Sequence, residues 1–422
     1  MSISALSPRF FAAVVVILLV CRVVSWAVGR VGQPPVVGEM IAGVLLGPSL
    51  LGAVASGAEN ELFPTALRPL LYVAGQIGLV VFMFQVGHEF RAHVAHGLAR
   101  TAAAVSAAGT VVPLALGVLL ALGARGRVDI FLPSVAPGVT YAFVGVTLAI
   151  TAFPMLARII SERGLAGTRY GSLALASGAI DDVVAWCLLA GVLAAASGRP
   201  RTVLVAVGGA ALFAVAVLYL ARPLLARVLG PQGPQDDVRI LVVSAVMFAA
   251  AWFTDEIGLY AVFGAFCVGM AMPGGPAAEH VVATISTPVR IVFLPLFFVY
   301  SGLNTRFGLL ANGSLLVFSA FAVLMAVLGK FTACWAAARL SGQDRAVALR
   351  LGTLMNARGL MQLIALNVGL AAGIVNSELF TALVLVALVT TLMAAPLLSW
   401  LDQRVPVPEP EPVRSEAAPV PG

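Results

Sequence analysis

Charge is scarce in this chain: Asp, Glu, Lys and Arg together make up 10% of its 422 residues, where a soluble domain carries about a quarter. With 60% of residues hydrophobic and a mean hydropathy of +1.02, there is too little polar side chain to coat a globule. Such a composition places the protein in a membrane. Cysteine is scarce too: Cys21, Cys187, Cys267 and Cys334 all lie in apolar runs without a CxxC pair or metal spacing, which excludes a disulfide framework and a zinc module. Lysine is nearly missing, since Lys330 stands alone against 24 arginines. The arginines are spread through loops rather than interleaved with aromatics, so the net charge of +6 reflects membrane orientation and not nucleic-acid binding.

What is present is a succession of apolar stretches of about 20 residues, the length of a membrane helix and twice that of a membrane strand. The fold class is therefore an all-α polytopic membrane protein. Hydropathy predicts about thirteen spans. Seven run from Phe10 to Val28, Val36 to Ala55, Leu67 to Val86, Thr101 to Gly123, Leu132 to Ile160, Arg169 to Ala196 and Val203 to Leu229. Six more run from Ile240 to Thr254, Ile257 to Met272, Arg290 to Leu303, Leu315 to Leu340, Ala346 to Ala372 and Phe380 to Leu401. The first is a retained helix rather than a signal peptide, because Arg22 interrupts it and no small-residue cleavage site follows. The loop GPQGPQDD at Gly230 to Asp237 is the clearest boundary, and the Pro- and Glu-rich tail from Asp402 onward is expected to be disordered.

An odd number of spans puts the termini on opposite sides. With the N-terminus outside, the inner loops and tail hold about twice as many arginines as the outer loops, so the C-terminus is expected in the cytoplasm and the protein in the plasma membrane.

Two carboxylates, Asp181 and Asp182, sit inside the apolar run SGAIDDVVAW. An acid at the centre of a membrane helix costs about 2.5 to 3.5 kcal/mol even on the lenient insertion scale, so the pair points to ion transport. Neighbouring helical residues face about 100° apart. One of these acids can therefore meet Lys330, mid-run in LMAVLGKFTACW, while the other faces a watery cavity. Buried lysine can give up its charge and arginine cannot, so a lone lysine here suits a group that changes charge. A structural ion pair, or a lysine snorkelling to an interface, is the plainer reading.

Pro154, in AITAFPMLARIISERGL, removes a backbone donor and predicts an opening of the helix around Thr151 to Phe153. Open backbone at membrane depth survives only where it lines a cavity or is buried in protein, and free carbonyls with the Thr151 hydroxyl are candidate ligands for a dehydrated cation. Asn356, Arg358 and Gly359, in LMNARGLMQLI, supply the matching polar and flexible place in the second half. Two discontinuous helices crossing at the midplane within inverted repeats would bring these places together, with Arg358 offsetting the negative half-helix ends. A simple proline kink and an interfacial arginine are the alternatives.

Weaker features complete the reading. Gly43 and Gly47 form a small-xxx-small packing face with Glu39 beside it at the membrane edge. His93 and His96 lie one turn apart on a polar stretch, where they either sense pH or solvate an interfacial helix. Asp255 and Glu256 are expected in a solvated loop.

Five stretches taken together resemble the cation/proton antiporters of the Kef and plant cation/proton exchanger type. They are VGQPPVVGEMIAGVLLGPSLLG, ITAFPMLARIISERGL, GAIDDVVAW, PLFFVYSGLNT and NARGLMQLIALNVGL, at residues 31–52, 150–165, 178–186, 295–305 and 356–370. The resemblance implies a homodimer embedded in lipid and an elevator motion of a core that carries the ion. Residues 1–100 and 237–310 would form a dimerisation domain and residues 101–198 and 311–402 the two core repeats. A linker would fill 199–236 and a cytoplasmic tail 403–422. Asp182 matches the family's transport carboxylate and Lys330 the lysine of its sodium-transporting relatives. Asp181 departs from the asparagine or glutamine usual in the plant and Kef types, and is similar to the electrogenic sodium/proton antiporters, which leaves sodium or potassium open. No nucleotide-binding pattern follows the last span, which sets the sequence apart from the glutathione-gated Kef systems.

The expected activity is exchange of a monovalent cation for protons, without cofactor and without enzymatic chemistry. Asp182 is the shared site, with Thr151 as a further possible ligand of the cation, Asp181 and Lys330 form a pair, and Pro154, Asn356 and Arg358 support the crossing. A cation channel and a sodium-coupled solute symporter on the same architecture are the rivals. An intramembrane aspartyl protease is disfavoured, because its two acids come from separate helices and a GxGD signature is missing.

Overall fold

A computed structural model of the chain describes residues 3–91, 98–165, 168–196 and 200–405. Among these there are helices and no strands. In chain order they are α1 (Ile3–Gly29), α2 (Pro35–Leu46), α3 (Leu51–Val54), α4 (Ser56–Leu62), α5 (Arg68–Arg91), α6 (Ala99–Ala124), α7 (Pro137–Ala149), α8 (Phe153–Glu162) and α9 (Arg169–Ala196). The second half continues with α10 (Pro200–Ala216), α11 (Arg222–Val228), α12 (Asp236–Glu256), α13 (Ala261–Ala271), α14 (Pro276–Leu303), α15 (Gly313–Leu340), α16 (Arg345–Leu354), α17 (Gly359–Ala371) and α18 (Ser377–Arg404).

Ten helical segments among the described residues are long and apolar enough to cross a membrane. The three other expected spans are where the helices are short or interrupted: α7 with α8, α13 alone, and α16 with α17. Each interruption has a local cause. Pro154 sits in the first turn of α8, where its missing N–H costs no bond, and residues 150–152 leave helical geometry, while Phe153, expected in the opening, already begins α8. Gly359 takes a positive φ of 46° at the start of α17, after the turn at 355–358. Intact helices carry ordinary start signals: Asn312 accepts from Ser314 N ahead of α15, and Asn376 from Leu379 N ahead of α18.

Several boundaries differ from the expectation. The helix α14 begins at Pro276, fourteen residues before the hydropathy span, because its first half mixes polar and charged residues with apolar ones that are buried. The last helix runs through Asp402 to Arg404, so these residues belong to α18 and not to the tail. The reason is Arg350, only 1% exposed, which donates from Nε to Asp402 Oδ1 at 2.9 Å and from Nη2 to Val405 O at 2.7 Å. Asp255 and Glu256 are exposed but end α12 rather than forming a loop. Glu39, expected at a membrane edge, is half-buried on α2. His93, His96 and the chain from residue 406 lie outside the described residues.

Two groups of helices pack side by side. In one, α6 lies against α7, α9 and α15, and α18 lies against α15, α16 and α17; in the other, α5 lies against α13 and α14, and α2 against α1 and α14. The Gly43 and Gly47 face is a packing device, as the spacing predicts. A Cβ on Gly43 would overlap the carbonyl of Phe298, and one on Gly302 would overlap that of Gly43, so α2 and α14 meet backbone to backbone. Among the described residues, polar links between the groups include Gln33 Nε2 to Leu392 O at 2.8 Å, Asn367 Nδ2 to Ser301 Oγ at 2.9 Å, Arg306 N to Thr381 Oγ1 at 3.1 Å and Tyr260 Oη to Val368 O at 3.5 Å.

Candidate functional site

The two interruptions face each other. Ala152 N, in the opening between α7 and α8, donates to Ala357 O, in the opening between α16 and α17, at 2.9 Å. Each chain break thus satisfies one backbone group of the other, the condition under which irregular backbone survives at membrane depth. An interrupted helix also leaves carbonyls without partners at its end, where the dipole is negative. Two cations cover that end of α7. Lys330 Nζ donates to Ala149 O at 2.8 Å, and Arg358 donates to Thr147 O at 3.3 Å and, from its other amino group, to Ala326 O at 2.8 Å. Arg358, from the second opening, thus bonds a carbonyl in the last turn of α7. Asn356 Nδ2 fastens the second opening to α15 through Val327 O at 3.0 Å.

The adjacent acids on α9 separate as their helical spacing requires. Asp181 turns toward α6 and α15 and accepts from Lys330 Nζ at 2.7 Å, from Thr151 Oγ1 at 2.7 Å and from Ser106 Oγ at 2.5 Å, with Thr110 Oγ1 at 3.4 Å. Asp182 is 0% exposed, and neither of its oxygens closes a hydrogen bond among the described residues. The backbone N–H of Phe153, at the first turn of α8, is aimed at it. Lys330 is also 0% exposed, so the ion pair is sealed from solvent on both sides.

Thr151, Asp181, Asp182, Lys330, Asn356 and Arg358 come together at this crossing, and the backbone of Pro154 lies in the first turn of the adjoining α8. Thr151, anticipated as a cation ligand, commits its hydroxyl hydrogen to Asp181. Ser106 and Thr110 were not anticipated. Their signal was present, since hydroxyls at i and i+4 on an apolar helix share one face, but nothing in the sequence indicated that this face meets Asp181.

The sequence model for the transmembrane region of sodium/hydrogen exchangers matches residues 15–401. The chain belongs to the sodium/hydrogen exchanger family. It is 34% identical over 394 residues to Na(+)/H(+) antiporter NhaS4 of Synechocystis sp., covering 92% of this chain and 95% of that protein. It is 32% identical over 401 residues to Cation/H(+) antiporter 17 of Arabidopsis thaliana and over 405 residues to K(+)/H(+) antiporter 1 of Saccharomyces cerevisiae. This exchanger-family chain spans about half the length of those two relatives, 48% and 45%. Among solved structures, the sodium proton antiporter MjNhaP1 of Methanocaldococcus jannaschii superposes with a TM-score of 0.67 over 94% of this chain and 98% of that one. At 14% identity that likeness concerns the fold alone. These comparisons make the protein a polytopic membrane protein of the cation/proton antiporter class, with relatives that are transporters rather than enzymes.

Proposed function

We propose that the protein exchanges Na+ or K+ for protons across the plasma membrane, and that Asp182 is the group for which the two ions compete. The observation that carries this reading is the division of labour on α9: Asp181 is held by Lys330 and hydroxyl donors, whereas Asp182 is buried with no cation bonded to it. A buried carboxylate without a counter-ion holds either a proton or a cation, and binding one excludes the other. Thr151 serves in this reading to hold Asp181 rather than to ligate the cation. The charges supplied by Lys330 and Arg358 to the end of α7 hold the crossing in shape whichever ion is bound.

Transport by an elevator motion is part of the proposal. The helices α6 to α9 and α15 to α18 would move as one body against α1, α2, α5 and α12 to α14, carrying Asp182 between the two faces. The grouping of the helices, α6 with α7, α9 and α15 and α5 with α13 and α14, supports that reading. The homodimer and the cytoplasmic C-terminus belong to the same proposal. An outward stripe on α1, from Phe11 through Val15, Leu19 and Val23 to Trp26, offers a partner protomer or lipid an apolar contact.

The test is a pH dye in proteoliposomes, with Na+, K+ or Li+ added separately. Wild-type protein is expected to move protons on addition of at least one of them, Asp182→Asn to move none, and Asp181→Asn to keep part of the exchange with altered charge stoichiometry. Exchange retained by a folded Asp182→Asn protein would sink the assignment, and equal loss in both variants would return the acids to one undivided site.

A further inference from the structure

Three residues of α6, Ser106, Gly109 and Thr110, line one side of the ion pair. Ser106 and Thr110 put their hydroxyls on Asp181 Oδ1, the oxygen that Lys330 and Thr151 do not use. Gly109, on the same face, makes the space for Cys334, which packs beside the lysine. A Cβ there would stand 3.5 Å from both Nζ and Cε of Lys330 and would overlap Cys334 Sγ. Ser106 is 2% exposed and Cys334 fully buried, so neither water nor lipid can replace this wall.

The consequence concerns Asp182. The ammonium of Lys330 sits on a flexible four-carbon stem and bonds the carboxylate that neighbours Asp182 in sequence. Its direction is set by two acceptors, Ala149 O and Asp181 Oδ2. Asp181 can hold it only while the carboxylate itself is held, and Oδ1 is fixed from α6 alone. A carboxylate freed at Oδ1 can rotate about its terminal torsion, which is broad for aspartate, and carry the ammonium with it. An ammonium released toward Asp182 would compete with the transported cation for that carboxylate.

We propose that Ser106, seconded by Thr110, is a positioning residue that sets the cation affinity of the exchanger by keeping Lys330 on Asp181 and away from Asp182. The inference rests on the reading of Asp182 as the ion site. Ser106 touches neither ion; it acts through Asp181. The sequence TAAAVSAAGTVV thus carries the third wall of the site on a helix with no charged residue between Thr101 and Gly123.

The prediction separates affinity from turnover. Ser106→Ala is expected to raise the apparent KM for the transported cation about threefold to tenfold, which converts to about 0.7 to 1.4 kcal/mol, the net worth of one ordinary hydrogen bond, with maximal rate within about twofold of wild type. Ser106→Thr, which keeps the hydroxyl, is expected to restore the wild-type KM. If Ser106→Ala does not accumulate, Ser106→Cys, close in volume and a weak donor, is expected to show the same rise. The assay is dye dequenching in proteoliposomes over a cation titration. Wild-type KM in a transporting Ser106→Ala or Ser106→Cys protein overturns the proposal, as does a fall in maximal rate with KM unchanged, the signature of a merely structural role. Failure of the reading beneath it looks different, because Asp182→Asn would then still exchange.

Discussion

Replacing Lys330 with methionine isolates the energetics of the buried pair. Methionine keeps the length and apolar body of the side chain, so the change removes a charge and its bonds with little cavity. In the folded protein Lys330 and Asp181 side chains are 0% and 1% exposed, and the ammonium bridges Asp181 Oδ2 at 2.7 Å and Ala149 O at 2.8 Å. Breaking a buried pair from one side costs about 3 to 5 kcal/mol, because the remaining charge has no counter-ion. Asp181 keeps the Ser106 and Thr151 hydroxyls as donors, which places the expected cost near the lower end, about 3 kcal/mol. Combining Lys330→Met with Asp181→Asn removes both charges and is expected to recover about half of that loss, so that the losses of the two single variants do not add in a double-mutant cycle. The measurement is unfolding of the purified protein in mild detergent titrated with a denaturing one, followed by tryptophan fluorescence. A single variant as stable as wild type, or a double variant whose loss equals the sum of the two single losses, would refute the argument.

Two further perturbations test the architecture away from the ions. Gly302→Leu forces a side chain into the backbone of α2 at Gly43 and is expected to destabilise by about 3 kcal/mol, the upper end of overpacking, whereas Gly308→Ala, with open space around it, is expected to be nearly neutral; equal thermal stability of the two would contradict the close α2–α14 contact. Asn312→Ala removes the side-chain cap on Ser314 N and is expected to cost about 0.5 to 1 kcal/mol with exchange unchanged, and a loss of several kcal/mol would show that α15 depends on its first turn far more than the exposed cap implies.

Much of the fold was legible because membrane depth imposes a strong rule. Apolar runs must become helices and a charge within them must have a reason, although proline alone does not mark a break, since Pro113, Pro288, Pro295 and Pro396 lie inside unbroken helices. The places where that logic fell short are those where burial comes from protein rather than lipid. The helix α14 starts at Pro276 because its mixed first half packs on neighbours, and Asp402 belongs to α18 because a buried arginine fifty-two residues earlier holds it. Neither partner is predictable from hydropathy, which records preference for lipid and not for a particular side chain.

The site divides in the same way. The sequence by itself determined that two neighbouring acids face apart, that a single lysine is available to one of them, and that two helices open at Pro154 and near Gly359, since helical period, proline geometry and the cost of buried charge are local properties. Only the tertiary structure decided which acid takes the lysine, that Thr151 turns to Asp181, that Arg358 bonds a carbonyl in the last turn of α7, and that Ser106 and Thr110 complete the shell. Those choices depend on how α6, α9 and α15 rotate against one another. That rotation is set by packing across more than 200 residues of chain, and no window of sequence contains it.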